Sequence, residues 1–427
     1  MATNSTASIY RQPGFLPFVS SRLLSFFAAQ IQAVVVAWQI YDMTRDPMTL
    51  AYVGLAQFIP MLFLLIPAGD LIDRFDRKKI VIASWGVQAL CSALLLALSL
   101  YQITNPHYFY AVLLLYGGAR AFTGPALQSL LPQVVARDQL PAAIATNSML
   151  MRIAAISGPV IGGVLYAWGS GVASYAVCLG SFLAAVVFIA LVPVRYAEKR
   201  EAHPAEVGAW QRFTAGIQFI RSRPIILGTI SLDLFAVLLG GVVALLPIYA
   251  QEVLHTDSTG LGLLRSAMAI GEVAVGLYLS FFPFNQRVGM AMFISVFIFG
   301  LANLVFSLST IFVVSFIALV IAGAADMVSM YIRSSLVQFS TPDSMRGRVN
   351  AVNMLFIGSS NELGEFRAGS SAAWFGVVPA AVVGSFFTLG ITAAWMALFP
   401  ALRHVNKFED ATPEEARKIK KAAREGN

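Results

Sequence analysis

Long apolar stretches alternate with short polar breaks along the whole chain. They fall at about residues 15–40, 50–69, 80–101, 108–131, 142–168, 173–193, 224–250, 259–283, 288–308, 311–338, 349–375 and 379–400. A helix needs about 20 apolar residues to cross the hydrocarbon core of a bilayer, so each stretch predicts a membrane-spanning helix, twelve in all. Several breaks carry turn chemistry. Asp46-Pro47 separates the first two stretches and Asn105-Pro106 the third and fourth, and Pro beside Asn or Asp stops a helix and sets a turn. The first stretch is too long for a signal-peptide core and lacks a small-residue cleavage site, so it reads as a retained span. The longest internal polar segment, 194–223, contains Glu198, Lys199, Arg200 and Glu201 and divides the chain into halves of six. The expected fold class is therefore an all-α integral membrane protein of two faintly pseudo-symmetric six-helix bundles. Residues 1–193 and 224–400 form the bundles, 194–223 a central cytoplasmic loop, and 401–427 a charged, helix-prone cytoplasmic tail that is solvated or faces the headgroups.

Composition narrows the class. Of 427 residues, 58% are apolar and 12% charged, and the mean hydropathy is +0.73. A soluble domain is nearer half apolar and a quarter charged. The net charge of +7 would suggest a nucleic-acid partner if the basic residues were spread evenly, but they are not. With the amino terminus placed inside, 22 of the 29 Lys and Arg residues fall in inside loops and tails, Arg45 falls outside, and six lie within helices. Basic residues near helix ends stay cytoplasmic, so both termini are expected inside and no nucleic acid is needed. Cys91 and Cys178 sit in apolar stretches, and His107, His203, His255 and His404 in loops or the tail. Neither a disulfide framework nor a metal-ligand constellation is expected.

Three motifs then recur at telling places. Gly69-Asp70-Leu71-Ile72-Asp73-Arg74-Phe75-Asp76-Arg77-Lys78-Lys79 follows the second span and resembles the loop signature of the major facilitator superfamily, with Asp76 where that family usually has Gly. Arg120-Ala121-Phe122-Thr123-Gly124 in the fourth span resembles the family's R-x-x-x-G element. Gly158-Pro159-Val160-Ile161-Gly162-Gly163 in the fifth resembles the G-P-x-x-G-G signature of its proton-antiporting exporters. Together they identify the chain as similar to that superfamily over essentially its whole length. In physical terms, Gly69 would let two helices approach closely, and Gly158, Pro159, Gly162 and Gly163 would bend one helix and open its face for tight packing. Asp73 could bond exposed amides at a helix start, where the dipole favours an anion. The resemblance implies that this start is that of the eleventh span, near Arg348. Arg74, Arg77 and Lys78 would then hold the inside surface shut. A narrower resemblance lies in Arg346–Asn353, Ser359–Phe366 and Ser231–Ala236, which look like the branch containing the bacterial enterobactin exporter. That branch commonly has an acid after the Glu-Phe pair, where this chain has Arg367.

Charges inside the spans need reasons, because each costs about 2.5–3.5 kcal/mol at mid-bilayer even on insertion scales. Asp233, Glu272, Asp326, Glu362 and Glu365 fall inside helices of the second half, and so does Arg367; Arg120 and Arg152 fall inside helices of the first. Arg22, Arg265 and Arg333 lie nearer helix ends and are expected to snorkel to the headgroups. The uneven division suggests a cavity with a cationic wall from one half and an acidic wall from the other. Glu362 and Glu365 share a helix face. Two carboxylates in a poorly hydrated site cannot easily both ionise, so one of them could take a proton outside and release it inside. The bland alternative is that Arg367 or a first-half Arg neutralises Glu365 structurally.

The expected function is a secondary transporter of the bacterial inner membrane that exports a small amphiphilic molecule, such as a siderophore or drug, in exchange for protons. No cofactor is expected, the proton gradient being the energy source, and a single chain would suffice. An importer or facilitator on the same fold is the alternative. An intramembrane enzyme would need a nucleophile–base pair or metal triad within the helices, and the sequence offers neither.

Overall fold

The computed structural model describes Ile9 and residues 12–136, 139–194 and 209–412. The expected turn signals become helix starts. Helix α1 spans Phe15–Thr44 and α2 Pro47–Arg74, with Asp46 capping α2 by accepting from the Met48 amide at 2.9 Å. Asp76 caps α3 (Arg77–Leu100) through the Lys78 amide at 2.9 Å, and Asn105 caps α4 (Pro106–Val134) through the His107 amide at 3.0 Å. Pro47 and Pro106 stand in the first turn, where an amide hydrogen would have no partner inside the helix. Asp76, the departure from the family loop, thus has a local structural role. It satisfies a helix-start donor that Gly would leave to water.

Helix α5 runs over Leu140–Ala190 with a break at Gly169 and Ser170, the latter at φ 56°. It contains both the fifth and sixth apolar stretches, and the break falls where the polar interval between them predicts a parting. After the undescribed residues 195–208, α6 (Ala209–Arg221) is an amphipathic helix inside the segment expected to be a loop. Its period of apolar residues, Phe213, Ile217 and Ile220, is what buries it against Val349 and Val352. The remaining elements are α7 (Pro224–Gly240), α8 (Ser258–Phe281), α9 (Val288–Leu308), α10 (Phe312–Ser340), α11 (Asp343–Phe375), α12 (Val377–Leu398) and the single turn α13 (Pro400–Arg403). Among the described residues there is no strand, and nine helices are long and apolar enough to cross a membrane. Helices α4 and α11, which carry Arg120 and the Arg346–Arg367 stretch, are not among those nine. Large side chains such as Phe63, Trp168 and Phe281 are exposed along the helices, as lipid contact requires.

Two segments carry detail beyond the apolar pattern. The stretch 224–250 is not one regular helix: α7 ends at Gly240, and Gly241–Val253 continues as a 3-10 turn, one α-turn and a π-turn. Thr388 and the Gly384 carbonyl crowd Gly240, leaving no room for a Cβ, so the glycine that permits this packing also weakens the helix. Where it is described, the tail is anchored on one side and exposed on the other. Leu402, Val405, Phe408 and Ala411 join a buried cluster with Val288, Phe293, Ile332 and Leu336. The Phe408 amide donates to Asn285 Oδ1 at 2.8 Å, and its ring stacks on Phe339 at 5.9 Å. An apolar residue every three or four positions is a burial signal that the surrounding charge hid. Residues 413–427, including the helix-prone stretch from Pro413, lie outside the described residues.

The chain divides into two compact units. One comprises residues 1–206 with 246–266, the other 207–245 with 267–427. In the first, α1 packs along α5, and α2 and α3 flank α4. Its interior holds buried hydrogen bonds: Tyr175 donates to Gln39 Oε1 at 2.8 Å, Gln39 to Ser99 Oγ at 3.0 Å, Ser92 to Gln32 Oε1 at 2.7 Å and Gln88 to Thr123 Oγ1 at 2.9 Å. In the second, α9 packs on α10 and α12, and α7 lies against α11 and α12.

Candidate functional site

In the second unit the charged site is built on α7 and α10. Asp233 stands ten residues into α7, and Arg333 of α10 forms an ion pair with it. Their side chains are 11% and 8% exposed. Arg333 therefore does not snorkel; although it stands in the last third of its helix, it is turned inward because a carboxylate faces it. Asp326 lies seven residues, or two turns, before Arg333 on the same face of α10 and interacts electrostatically with both members of the pair. Around them, Trp395 Nε1 donates to Ser231 Oγ at 2.9 Å, and the Trp395 and Phe235 rings are 5.3 Å apart. This arrangement places two carboxylates about one guanidinium in an apolar setting. Charge balance there calls for one proton or a second cation, because an isolated buried charge is costly.

Arg367 does something else. Its Nε donates to the Leu238 carbonyl at 3.3 Å and its Nη2 to the Gly241 carbonyl at 3.0 Å. The guanidinium thus caps the broken C-terminal end of α7, where carbonyls lack helical partners and the dipole is negative. In lipid such groups must be satisfied by protein. Gly364 packs against Val237 and Leu238, so Gly364 and Arg367 define the side of α11 that meets α7. At 100° per residue, Glu362 and Glu365 lie on another side of that helix, and both are half-buried. Arg367 thus gives its Nε and one Nη2 donor to backbone carbonyls. Glu272 on α8 is likewise half-buried.

In the first unit, Arg120 is exposed and its Nη1 donates to Gln57 Oε1 at 3.2 Å. The close approach that supports this contact is made by Gly117, where a Cβ would overlap the Gln57 backbone; Gly124 of the R-x-x-x-G element has open space around it. Arg152 on α5 is half-buried, as are Arg22 and Arg265.

The glycine-proline motif of α5 is a packing node. Gly158 and Gly162 meet Gln30 and Ile31 of α1, while Gly163 and the Pro159 carbonyl meet Ser258, Thr259 and Gly262 at the start of α8. Ser258 Oγ donates to the Gly163 carbonyl at 2.8 Å. Nearby in the same unit, the Tyr41 hydroxyl donates to the Glu252 carboxylate and Arg45 to the Gln251 side-chain oxygen. These partners, all within 246–266, have no sequence motif to announce them.

The loop motif has contacts of its own within the first unit. Among the described residues, a Cβ on Gly69 would meet nothing within 4 Å. Arg77 Nη1 donates to the Ser129 carbonyl at 2.9 Å, and Lys78 Nζ to the Ala190 and Val192 carbonyls at 2.7 and 2.8 Å. Both tie the start of α3 to the ends of α4 and α5. The side chains of Asp73 and Arg74 lie outside the described residues.

Long apolar helices in two units, a buried ion pair and a capped helix break within the second, and loop and glycine-proline motifs in the first fit a multi-pass membrane transporter of the major facilitator type. The profile of the transmembrane secretion effector family matches residues 4–422, and the chain belongs to that family. It is a transport protein and not an enzyme. Among curated relatives, the enterobactin exporter EntS of Citrobacter koseri is 25% identical over 409 residues, covering 94% of each chain. The enterobactin exporter EntS of Escherichia coli is 24% identical over 400 residues, covering 92% of this chain and 93% of its own. Among solved structures, the nucleoside transporter NupG matches with a TM-score of 0.66 at 16% identity, covering 90% of this chain and 98% of its own. A bacterial homologue of the lysosomal transporter Spinster, in an inward-facing and occupied conformation, matches with a TM-score of 0.68 at 14% identity, covering 92% and 96%. These structures establish the fold.

Proposed function

We propose that the protein is a proton-coupled exporter of a small amphiphilic molecule such as a siderophore. It works by alternating access as a monomer in the bacterial inner membrane, with twelve spans and both termini cytoplasmic. The observation that carries the coupling is the buried Asp233–Arg333 pair with Asp326 beside it. A proton on either carboxylate leaves the other to Arg333 and makes the cluster neutral. Loss of that proton leaves it with net negative charge, and a conformational change that alters the cluster's access to water then becomes linked to proton movement. Glu362, Glu365 and Glu272 are further acids of the same half, and Arg120 and Arg152 supply cationic donors from the other. The full-length similarity to two enterobactin exporters supports the direction and size class of the cargo, and the α5 glycine-proline motif supports export over import. Residues 194–223 and 401–427 are assigned to the cytoplasmic side by their basic content.

The test uses proteoliposomes with the pH gradient set in either direction. Enterobactin and a panel of amphiphilic dyes are scored for accumulation. Gradient-dependent movement of a panel member opposite to the proton, lost in Asp233→Asn together with Asp326→Asn, is the expected result. Equal rates under both gradients would refute coupling. Movement only in the direction of the proton would favour the importer.

A further inference from the structure

Helix α6 does more than connect the two halves of the chain. Its apolar stripe, Phe213, Ile217 and Ile220, is consumed in the cluster with Ile226, Val349 and Val352. Gly216 lies so close to the Arg348 carbonyl that a Cβ would be crowded. The helix is therefore fixed on the body of the second unit. The opposite stripe, Gln211, Thr214, Gln218 and Arg221, repeats at helical spacing and is exposed. A shallow cavity of about 250 Å³ opens on this side, lined by Thr214, Ile217, Gln218 and Arg221. That is below the ~300–1,000 Å³ of drug-sized pockets. Its chemistry is one-sided: a guanidinium, a carboxamide and a hydroxyl, beside an aliphatic wall. Neither the Arg221 guanidinium nor the Gln218 amide has a hydrogen-bond or ion-pair partner among the described residues. No Asp or Glu occurs between Glu206 and Asp233, so nothing acidic in this segment competes for Arg221. The position is equally specific. Arg221 ends α6 three residues before the apolar helix that starts at Pro224, so the cavity lies within a turn of the start of that candidate span. Trp210 is 64% exposed and stacks on Phe213 at 5.9 Å, as interfacial aromatic rings do at headgroup level.

We infer that Arg221 and Gln218 bind the headgroup phosphate of an anionic phospholipid, with Ile217 and Trp210 against the glycerol and upper acyl carbons. Guanidinium donors suit phosphate oxygens, and a basic residue at an anionic surface strengthens lipid attachment by about five-fold. The site is independent of what the protein carries.

The full-length protein is purified from nanodiscs of phosphatidylcholine mixed with phosphatidylglycerol, and retained lipid is counted by native mass spectrometry. Wild type is expected to retain phosphatidylglycerol in preference to phosphatidylcholine. Arg221→Gln and, separately, Gln218→Ala should reduce that retention about five-fold or more, while Lys407→Gln, an equal loss of charge elsewhere, leaves it unchanged. The two variants alter exposed side chains, and an unchanged melting temperature confirms that α6 stays docked. Equal retention of both lipids by wild type, or undiminished phosphatidylglycerol in both variants, overturns the assignment. So does Arg221-dependent binding of soluble glycerol phosphate without lipid retention.

Discussion

Arg333 and Asp233 pair across two helices of one unit with almost no exposure of either side chain. Breaking such a pair from one side leaves an uncompensated buried charge, at a cost of about 3–5 kcal/mol. Arg333→Met is therefore expected to lower the unfolding midpoint in mixed micelles sharply. Combining it with both Asp233→Asn and Asp326→Asn should recover most of the loss, because the neutral groups then leave no charge to strand. A single variant as stable as wild type would mean that the pair is not formed in the folded protein.

Arg367 satisfies two carbonyls at the end of α7. Arg367→Leu leaves them without donors, a loss of about 1–3 kcal/mol for buried groups. Arg367→Glu, which restores the acid common in the enterobactin-exporter branch, also sets an anion against the negative end of the helix dipole and should cost more. Hydrogen exchange is the discriminating measurement. Amides of Leu238–Leu245 should lose protection in both variants, with Glu the worse, while those of α9 keep theirs. Unchanged protection in the Glu variant would show that Arg367 does not cap α7.

The positions of the helices are legible in apolar runs because lipid allows little else to cross it, and Asp46, Asp76 and Asn105 mark the starts by their capping chemistry. What is not legible depends on a neighbour remote in sequence. Arg333 reads as a headgroup residue because distance from a helix end is measured along one helix, whereas its orientation is set by Asp233 a hundred residues earlier. The cap made by Arg367 is not legible for the same reason; it reaches carbonyls that become free only because α7 breaks at Gly240. The motif glycines are legible as small residues but not as contacts. Among the described residues Gly163 is crowded and Gly69 has open space, a difference the sequence alone does not show. Helix α6 and the buried tail are masked by their charged surroundings, since their apolar periodicity is short.

That contrast between glycines can be measured. A methyl on Gly163 would overlap the Ser258 carbonyl, and one on Gly262 the Pro159 carbonyl. Gly163→Ala and Gly262→Ala should each lower the melting temperature and slow transport, because rigid backbone must move apart. Gly69→Ala meets nothing within 4 Å and gains up to about 1 kcal/mol of helix propensity, so its melting temperature should hold or rise. The reverse order would show that the α5 motif is not a packing node.

The last prediction concerns the cation of the first unit. Arg120 is exposed, and Gln57 holds its guanidinium at 3.2 Å. Arg120→Ala removes little packing, so stability should change by no more than about 0.5 kcal/mol. If the exposed guanidinium meets cargo, efflux should fall at least ten-fold while proteoliposome incorporation stays normal. Gln57→Ala should show a milder loss, because it removes only one of the contacts that position the guanidinium. Arg120→Lys keeps the charge but not the planar fork, and it should recover part of the rate with a raised KM if charge attracts the cargo and the fork orients it. Wild-type efflux by Arg120→Ala would remove Arg120 from the substrate path and leave the acids around Arg333 as the charged part of the machinery.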